Sequence, residues 1–381
     1  MRIVLIGLTH PFRGGISHYS TLSFNSLSKK HDVKFLSFRR QYPELLFPGK
    51  TQKDISLKPL KAESHAIIDS LNPFSWIKVI KEIKDFKPQI TIFNWWTPFF
   101  GPCYSFISFF IKKFTKIIFI VHDLIPPEKS ITDNIFSKLA FYNASWFILH
   151  SKKDEEGLKL IKKDAKLKVI PHPIYSVFSD IYSNNGHKNL KEYFGLKPTD
   201  KLILFFGYVR EYKGLKYLIK SMPEILKEIK DCYLLIAGEF YEDENKYKKL
   251  IEETGVTQNI RIINQYIPNE EVGSYFTSSD VVVLPYTQIS QSGVIQIAYG
   301  FRKPLISTKI GGIPDVVKDG VTGILVPPRD EKALAEGVIK FFKEEKSKSF
   351  ETNIGSEISR FSWNRLIEAV EEIGEDSSGL S

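Results

Sequence analysis

The stretch SQSGVIQIAYGFRKP, Ser290–Pro304, passes from small polar residues into an apolar run and carries no acidic side chain. Before it stands DVVVLPY (Asp280–Tyr286) and after it PLISTKI (Pro304–Ile310), both short runs of β-branched and apolar residues. The pattern predicts a strand, a helix beginning at Ser292-Gly293-Val294, and a second strand. The handover from strand to helix is where an open α/β sheet holds its ligand. A helix start containing glycine and no carboxylate offers successive N–H groups to an anion. Ser292, Gly293 and Val294 are therefore candidate anion-binding residues, facing an expected cleft between two domains.

The same alternation extends in both directions. Downstream, GGIPDVV reads as a Gly-rich turn into a short helix and TGILVPP (Thr322–Pro328) as another strand. Upstream lie KLILFFGY (Lys201–Tyr208), CYLLIAGEF (Cys232–Phe240) and IRIINQY (Ile260–Tyr266). The first half repeats the architecture with RIVLIGL (Arg2–Leu8), DVKFLSF (Asp32–Phe38), ITIFNW (Ile90–Trp95), KIIFIVH (Lys116–His122), WFILHS (Trp146–Ser151) and KVIPHP (Lys168–Pro173). Helical patterns cover Ser17–Lys29, Pro73–Phe86 and Lys152–Lys162. Several strands are near-continuous apolar runs, as expected for parallel strands buried on both faces. The expected fold is α/β: two Rossmann-like, doubly wound parallel-sheet domains. The expected domains are 1–178 and 179–355, followed by a helix and polar tail over 356–381. The segment SDIYSNNGHKNLKEYFGLKPTD, with its weak periodicity, reads as a linker.

At 381 residues and 43% hydrophobic, the chain can form two cores. A net charge of +9 and a pI near 9.1 point to acidic partners such as phosphates or an anionic lipid surface. Nucleic acid is not expected, because the lysines are scattered and no zinc-finger or RNA-binding signature is present. Cys103 and Cys232 have no metal-ligand spacing around them and read as buried thiols of a cytoplasmic protein. No leader is expected, because a strand-like run follows Met1 at once. No apolar span reaches the roughly 18 residues of a membrane helix.

Two glycine-bearing loops carry further chemistry. In GLTHPFRGGISHYS, Gly14 and Gly15 precede a helix; they serve either as a turn or as a close approach to an anion. The glycines are adjacent and lie beyond the strand end, so this is not a dinucleotide fingerprint. In FFGYVREYKGLKYLI, Gly207 ends a strand, Arg210 and Lys213 follow, and Gly214 precedes a helix. Two cations beside a helix start suit a diphosphate, although loop cations are also commonly solvated.

The ordered set RGGISHY, VHDLIPPE, PHPIY, GYVREYKGL, AGEFYED, PNEEVGSYFTSSDVVVLPY and KPLISTKIGGIPDVVKDGVTGILVPPRD resembles the retaining glycosyltransferases of family 4, group 1, with the GT-B fold. The resemblance covers the chain from Gly14 to about Asp330. It implies sugar transfer from a nucleotide-diphosphate sugar to a hydroxyl acceptor, with retention, no required metal, and a C-terminal helix that returns to the first domain. It also implies that Gly14 and Gly15 face the donor's phosphates and sugar, and that Arg210 and Lys213 bind the diphosphate. His122 would lie near the transferred sugar, while Tyr266 and Ile267 hold the base and Glu239 lies at the neighbouring strand end. Two departures stand out. Tyr208 occupies the place where the family's arginine directly follows the glycine. The family's spaced glutamate pair is absent, with Ile297 at the second position. Gln291 and Gln296 are the nearest polar replacements for contacts to ribose or sugar, or Gln296 simply packs. An amide bonds a hydroxyl without the charge assistance a carboxylate would give.

Of eight histidines, His31, His65 and His187 read as surface residues, and His150 and His172 as capping or packing residues. His122 ends an apolar strand, where it or a nearby carbonyl would stabilise an oxocarbenium-like transition state. His18 is a candidate acceptor contact or a buried helix residue. The aromatic segment NWWTPFFGPCYSFISFFIKKF (Asn94–Phe114) reads first as helix core; its second reading is an acceptor groove including Trp95 and Trp96, or a weak membrane-surface contact.

The sequence reading is thus a retaining hexosyltransferase for polysaccharide or lipid-linked saccharide, with no cofactor beyond its nucleotide-sugar co-substrate. His122, Arg210 and Lys213 would carry catalysis. It would work in the cytoplasm, with peripheral contact at the inner membrane face as an addition. Two alternatives are a nucleotide-sugar-binding partner subunit with weak turnover and, third, a nucleotide-sugar epimerase. Oligomeric state, sugar, base and linkage are not legible.

Overall fold

The computed structural model describes residues 1–44, 47, 49–124, 132–183 and 188–376. His187, the IPPE part of VHDLIPPE and the tail residues 377–381 lie outside the described residues. The chain divides into two compact units: 1–55, 59–172 and 362–381 form the first, and 56–58 with 173–361 the second.

In chain order, the first unit contains β1 (Arg2–Gly7), α1 (Gly15–Leu27), β2 (Asp32–Arg40), β3 (His65–Asp69), α2 (Pro73–Phe86), β4 (Ile90–Trp95), α3 (Gly101–Ile111), β5 (Lys116–Val121), α4 (Asp133–Phe141), β6 (Trp146–Leu149), α5 (Lys152–Ile161) and β7 (Leu167–Val169). The strands pair in parallel in the order β3-β2-β1-β4-β5-β6-β7, so the topology reverses between β1 and β4. β4 and β5 are buried at every residue, which accounts for their largely apolar sequences. β3 is the strand that the sequence reading lacks; it has only a short apolar core and pairs with β2 through register shifts.

The second unit contains α6 (Val177–Ser183), α7 (Leu190–Tyr193), β8 (Lys201–Phe206), α8 (Leu215–Glu228), β9 (Cys232–Ala237), α9 (Glu244–Glu253), β10 (Ile260–Ile263), α10 (Asn269–Ser278), β11 (Val281–Leu284), α11 (Gly293–Gly300), β12 (Leu305–Thr308), α12 (Ile313–Val316), β13 (Gly323–Val326), α13 (Glu331–Lys343) and α14 (Ser347–Glu357). Its parallel sheet runs β10-β9-β8-β11-β12-β13, reversing between β8 and β11. The predicted linker is instead helical at α6 and α7. Asn189 caps α7 by accepting from the Lys191 N–H at 3.0 Å, and α6 packs Tyr182 against Gly273 of α10. A Cβ at Gly273 would stand 2.3 Å from the Tyr182 ring, so the glycine permits this close packing.

The last helix, α15 (Asn364–Glu375), belongs to the first unit. Its apolar stripe Leu366, Ile367, Val370 and Ile373 is buried, and its C-terminus is held by a buried cation. Lys116 Nζ donates to the Ile373 and Gly374 carbonyls at 2.9 and 3.0 Å, and also to that of Asp376. A cation at the carbonyl end of a helix meets its orphan acceptors and the negative end of its dipole. Among the described residues, no helix is long and apolar enough to cross a membrane.

Candidate functional site

In the second unit, loops at the carboxyl ends of β8, β9, β11 and β12 converge. Gly207 ends β8 with φ 97°, and Gly238 ends β9 with φ 151°. A Cβ on Gly238 would stand 2.1 Å from the Gly207 carbonyl oxygen, so glycine at 238 is what lets the two strand ends touch. The 3-10 turn Glu211–Lys213 is tied to the loop after β11, where the Thr287 N–H donates to the Tyr212 carbonyl at 2.7 Å. Gly214 sits against the Pro285 carbonyl, and the Gly312 N–H donates to the Ser290 carbonyl at 2.9 Å. Four sequence-distant loops are thereby locked by backbone contacts.

Lys213 lies at the centre of this arrangement. It is 8% exposed, and a Cβ at Gly207 would stand 3.0 Å from its Nζ and 3.4 Å from Val294 Cγ2. The ammonium therefore occupies the space above Gly207, beside the first turn of α11. No ion pair reaches it among the described residues. Burial, and secondly the Arg210 charge, push its pKa down to about 8. A buried cation without a counter-charge is costly and favours an incoming anion.

The start of α11 completes the site. Ser292 is its N-cap but makes no capping bond; its Oγ is 2.8 Å from Tyr286 Oη instead. No acidic residue occupies the first turn, and among the described residues the Gly293 and Val294 N–H groups have no acceptor. Both residues are half-exposed. The uncapped N–H groups and Lys213 Nζ lie together at the strand-order reversal, where both are positive. Arg210 lies 4.9 Å over the Tyr241 ring, and Tyr241 stacks on Tyr208 at 4.6 Å. Tyr208 thus joins a stack that supports Arg210. The sequence reading misses this role of Tyr208 and Tyr241, because stacking partners from separate loops leave no spacing signal.

The remaining predicted residues of this unit fall around the same strand ends. Glu239 is 2% exposed, with its carbonyl accepting from the Val209 N–H at 2.9 Å. Tyr266 is half-exposed, whereas the Ile267 side chain is buried, leaving its backbone for contact. Gln291 is half-exposed. Gln296 is buried, and its Oε1 has no partner among the described residues. Ile297 is buried, so the position of the missing glutamate now belongs to the packing of α11.

In the first unit, Gly14 is the N-cap of α1 with φ 99°, a conformation suited to glycine, and a Cβ at Gly15 would meet open space. α1 also lacks an acid in its first turn. His18 is buried. His122, directly after β5, is buried, and Nε2 lies 3.1 Å from Asn94 Oδ1. Since Asn94 Nδ2 donates towards the Ile6 carbonyl, Oδ1 accepts from His122 Nε2–H and leaves the Nδ1 lone pair. Burial, then His150 and His172, hold His122 well below the usual imidazole range. These three histidines, at the ends of successive strands, surround Tyr19. Its ring is 4.3 Å from His122, 5.3 Å from His150 and 5.1 Å from His172, with Trp363 on another side at 5.2 Å. His150 and His172, read from sequence as capping or packing residues, thus belong to one imidazole cluster. The recurrence of histidine at successive strand ends was the available signal.

Trp95 does not line an acceptor surface. It is fully buried against Phe141 at 4.8 Å, because both faces of β4 are covered. Trp96 is half-exposed and donates from Nε1 to Tyr42 Oη at 3.2 Å.

Comparison with known proteins places this geometry. Residues 187–355 match the family described as glycosyl transferases group 1. An uncharacterized glycosyltransferase of Methanocaldococcus jannaschii is 27% identical over 60% of this chain and 59% of that protein. An alpha-D-kanosaminyltransferase of Streptomyces kanamyceticus is 28% identical over 42% of this chain and 41% of that protein. The chain thus spans about half the length of the curated relatives it matches. The crystal structure of Anabaena HepE in complex with UDP and glucose superposes with a TM-score of 0.73 at 18% identity, covering 98% of this chain and 99% of that one. The matched segment contains β8 to β13 and with them the whole lysine-centred anion site. The chain has the GT-B fold of these structures, and its segment 187–355 is similar to the glycosyl transferases group 1 family.

Proposed function

We propose that the protein is a retaining, metal-independent glycosyltransferase that moves a sugar from a nucleotide-diphosphate sugar to a hydroxyl of a glycan or lipid-linked saccharide. The observation that carries this reading is Lys213, a buried ammonium with no counter-ion among the described residues, beside the uncapped start of α11. Arg210 and Lys213 supply positive charge for the leaving diphosphate, and the Ser292–Val294 amides add fixed dipoles. Charge that develops on the leaving group is stabilised by groups already oriented for it. The complex of Anabaena HepE with UDP and glucose supports a nucleotide-sugar ligand for this fold.

Retention is assigned to attack by the acceptor hydroxyl on the face from which the diphosphate departs. His122, held neutral, and nearby carbonyls would stabilise the cationic sugar. Gln291 and Gln296 would take the hydroxyl contacts that carboxylates make in relatives, with Glu239, Tyr266 and Ile267 toward the nucleoside. His18 and Trp96 are the acceptor-side candidates. Cytoplasmic placement fits the buried, unpaired Cys103 and Cys232. A thermal-shift screen of nucleotide sugars followed by a transfer assay tests the proposal, since a ligand that binds the native state raises its melting point. Stabilisation by one donor, followed by transfer with retained configuration, is expected. Binding without transfer or donor hydrolysis would assign a binding subunit, and isomerisation of the donor without an acceptor would assign an epimerase.

A further inference from the structure

We propose that the outer face of α3 and α4 docks on an anionic bilayer surface. α3 carries no charged side chain and is apolar around its circumference. Its inner face buries Cys103, Tyr104, Ile107 and Ile111, while Phe109 and Phe110 on the other side are 54% and 44% exposed. On α4 and the residue following it, Ile135, Leu139 and Tyr142 form one exposed stripe at helical spacing. Between the two helices lies an open groove of about 360 Å³, lined by Pro102, Phe106, Phe109, Leu139 and Tyr142, among others. A helix that is apolar all round requires a second apolar contact, and the first unit's core supplies only one.

The charges around this face select the occupant. Lys112 Nζ lies 4.8 Å from the Phe109 ring and 6.0 Å from that of Tyr142, and Lys84 Nζ lies 5.0 Å from the Phe114 ring. Lys113 and Lys138 are exposed beside them. Lysine stems lying along aromatic surface with ammonium groups at its rim match the boundary between acyl chains and phosphates. The overall charge of +9 has the sign required for anionic lipid. This surface lies within the first unit and does not depend on the donor reading, since vesicle binding needs no nucleotide sugar.

The test is co-sedimentation of the full chain with vesicles of phosphatidylcholine alone or containing phosphatidylglycerol, at low and high salt. Binding to the phosphatidylglycerol vesicles, weakened by salt, is expected. The triple variant Phe109→Ser, Phe110→Ser, Tyr142→Ser should bind about tenfold more weakly or worse, and Lys112→Glu with Lys113→Glu should remove the anionic preference. Because Phe109, Phe110 and Tyr142 are exposed, the triple variant should retain the wild-type melting point, whereas the lysine variant also loses the Lys112 bond to Asn143 Oδ1 and is compared at matched folded fraction. Absence of wild-type binding, or undiminished binding by the triple variant, overturns the proposal. So does a dimer in sedimentation velocity that the triple substitution dissociates, since a second copy would then be the occupant.

Discussion

Replacing Lys213 by methionine should make the empty protein more stable and the donor complex weaker. Methionine keeps an unbranched, flexible stem and removes only the charge. In the folded state the ammonium's pKa falls from 10.5 to about 8. A tenfold change in a proton-binding constant is worth about 1.4 kcal/mol, so keeping the lysine protonated costs the fold about 3 kcal/mol at neutral pH. For a unit of this size that corresponds to a melting-point rise of about 6–10 °C in Lys213→Met. The pH dependence has a definite sign. The penalty is fully present below pH 8 and is relieved as pH rises from there toward 10.5, because the folded state binds fewer protons than the unfolded one. Stability of the wild type relative to Lys213→Met should therefore increase across that window. Loss of one charge-assisted hydrogen bond to a diphosphate should weaken donor binding by about 1.5–3 kcal/mol, or roughly ten- to a hundredfold. Differential scanning fluorimetry without ligand, followed by calorimetry with UDP and a UDP-sugar, measures both effects. A variant that melts no higher than wild type and binds UDP equally well would refute both the uncompensated burial of Lys213 and its proposed contact with the diphosphate.

Gly207→Ala should act on the same site from the other side: at φ 97° a Cβ costs about 1–2 kcal/mol and crowds Lys213 Nζ at 3.0 Å. Donor affinity should fall by more than the loss of stability explains, and an unchanged Kd would show that Lys213 does not bind ligand from above Gly207. The imidazole cluster predicts acid sensitivity. Burial, then His172, push His150 down to about 3, so its stabilising preference for the neutral form is present above pH 6.5 and lost as pH falls toward 3. By pH 5 this amounts to about 2 kcal/mol. Asp123, pushed up to about 8 by burial and Asp154, titrates with the opposite sign. The quantity to measure is therefore the difference between wild type and His150→Gln in urea unfolding at pH 7.5 and pH 5, and a difference independent of pH would contradict the buried neutral assignment.

Local pattern makes much of this protein legible. Largely apolar runs such as ITIFNW mark strands buried on both faces, Gly207 marks the end of β8 and Gly293 the start of α11. Pro73–Phe86 is legible at its observed limits because Asn72 accepts from the Phe74 N–H at 3.0 Å and proline opens the helix. The region after residue 178 reads as linker because α6 and α7 are too short for periodicity to register. Their helical state rests on packing against α10 and on the Asn189 cap.

The amino-acid sequence by itself determined the parallel α/β architecture, the glycine positions and the chemical types around Lys213 and the start of α11, since these follow from burial periodicity and steric rules within a few residues. Tertiary structure decided which side chains share a space. Trp95 and Trp96 are neighbours in sequence, yet the first closes the fully buried β4 and the second, just beyond the strand end, is half-exposed. Arg210 lies over Tyr241, and Lys213 occupies the space above Gly207, only because loops from several strands meet at the reversal of the sheet. The absence of a carboxylate from SQSGVIQIAYGFRKP is visible in the letters. That a buried lysine stands beside its uncapped amides depends on packing, because the low dielectric of the interior makes an uncompensated cation there a site for an anion.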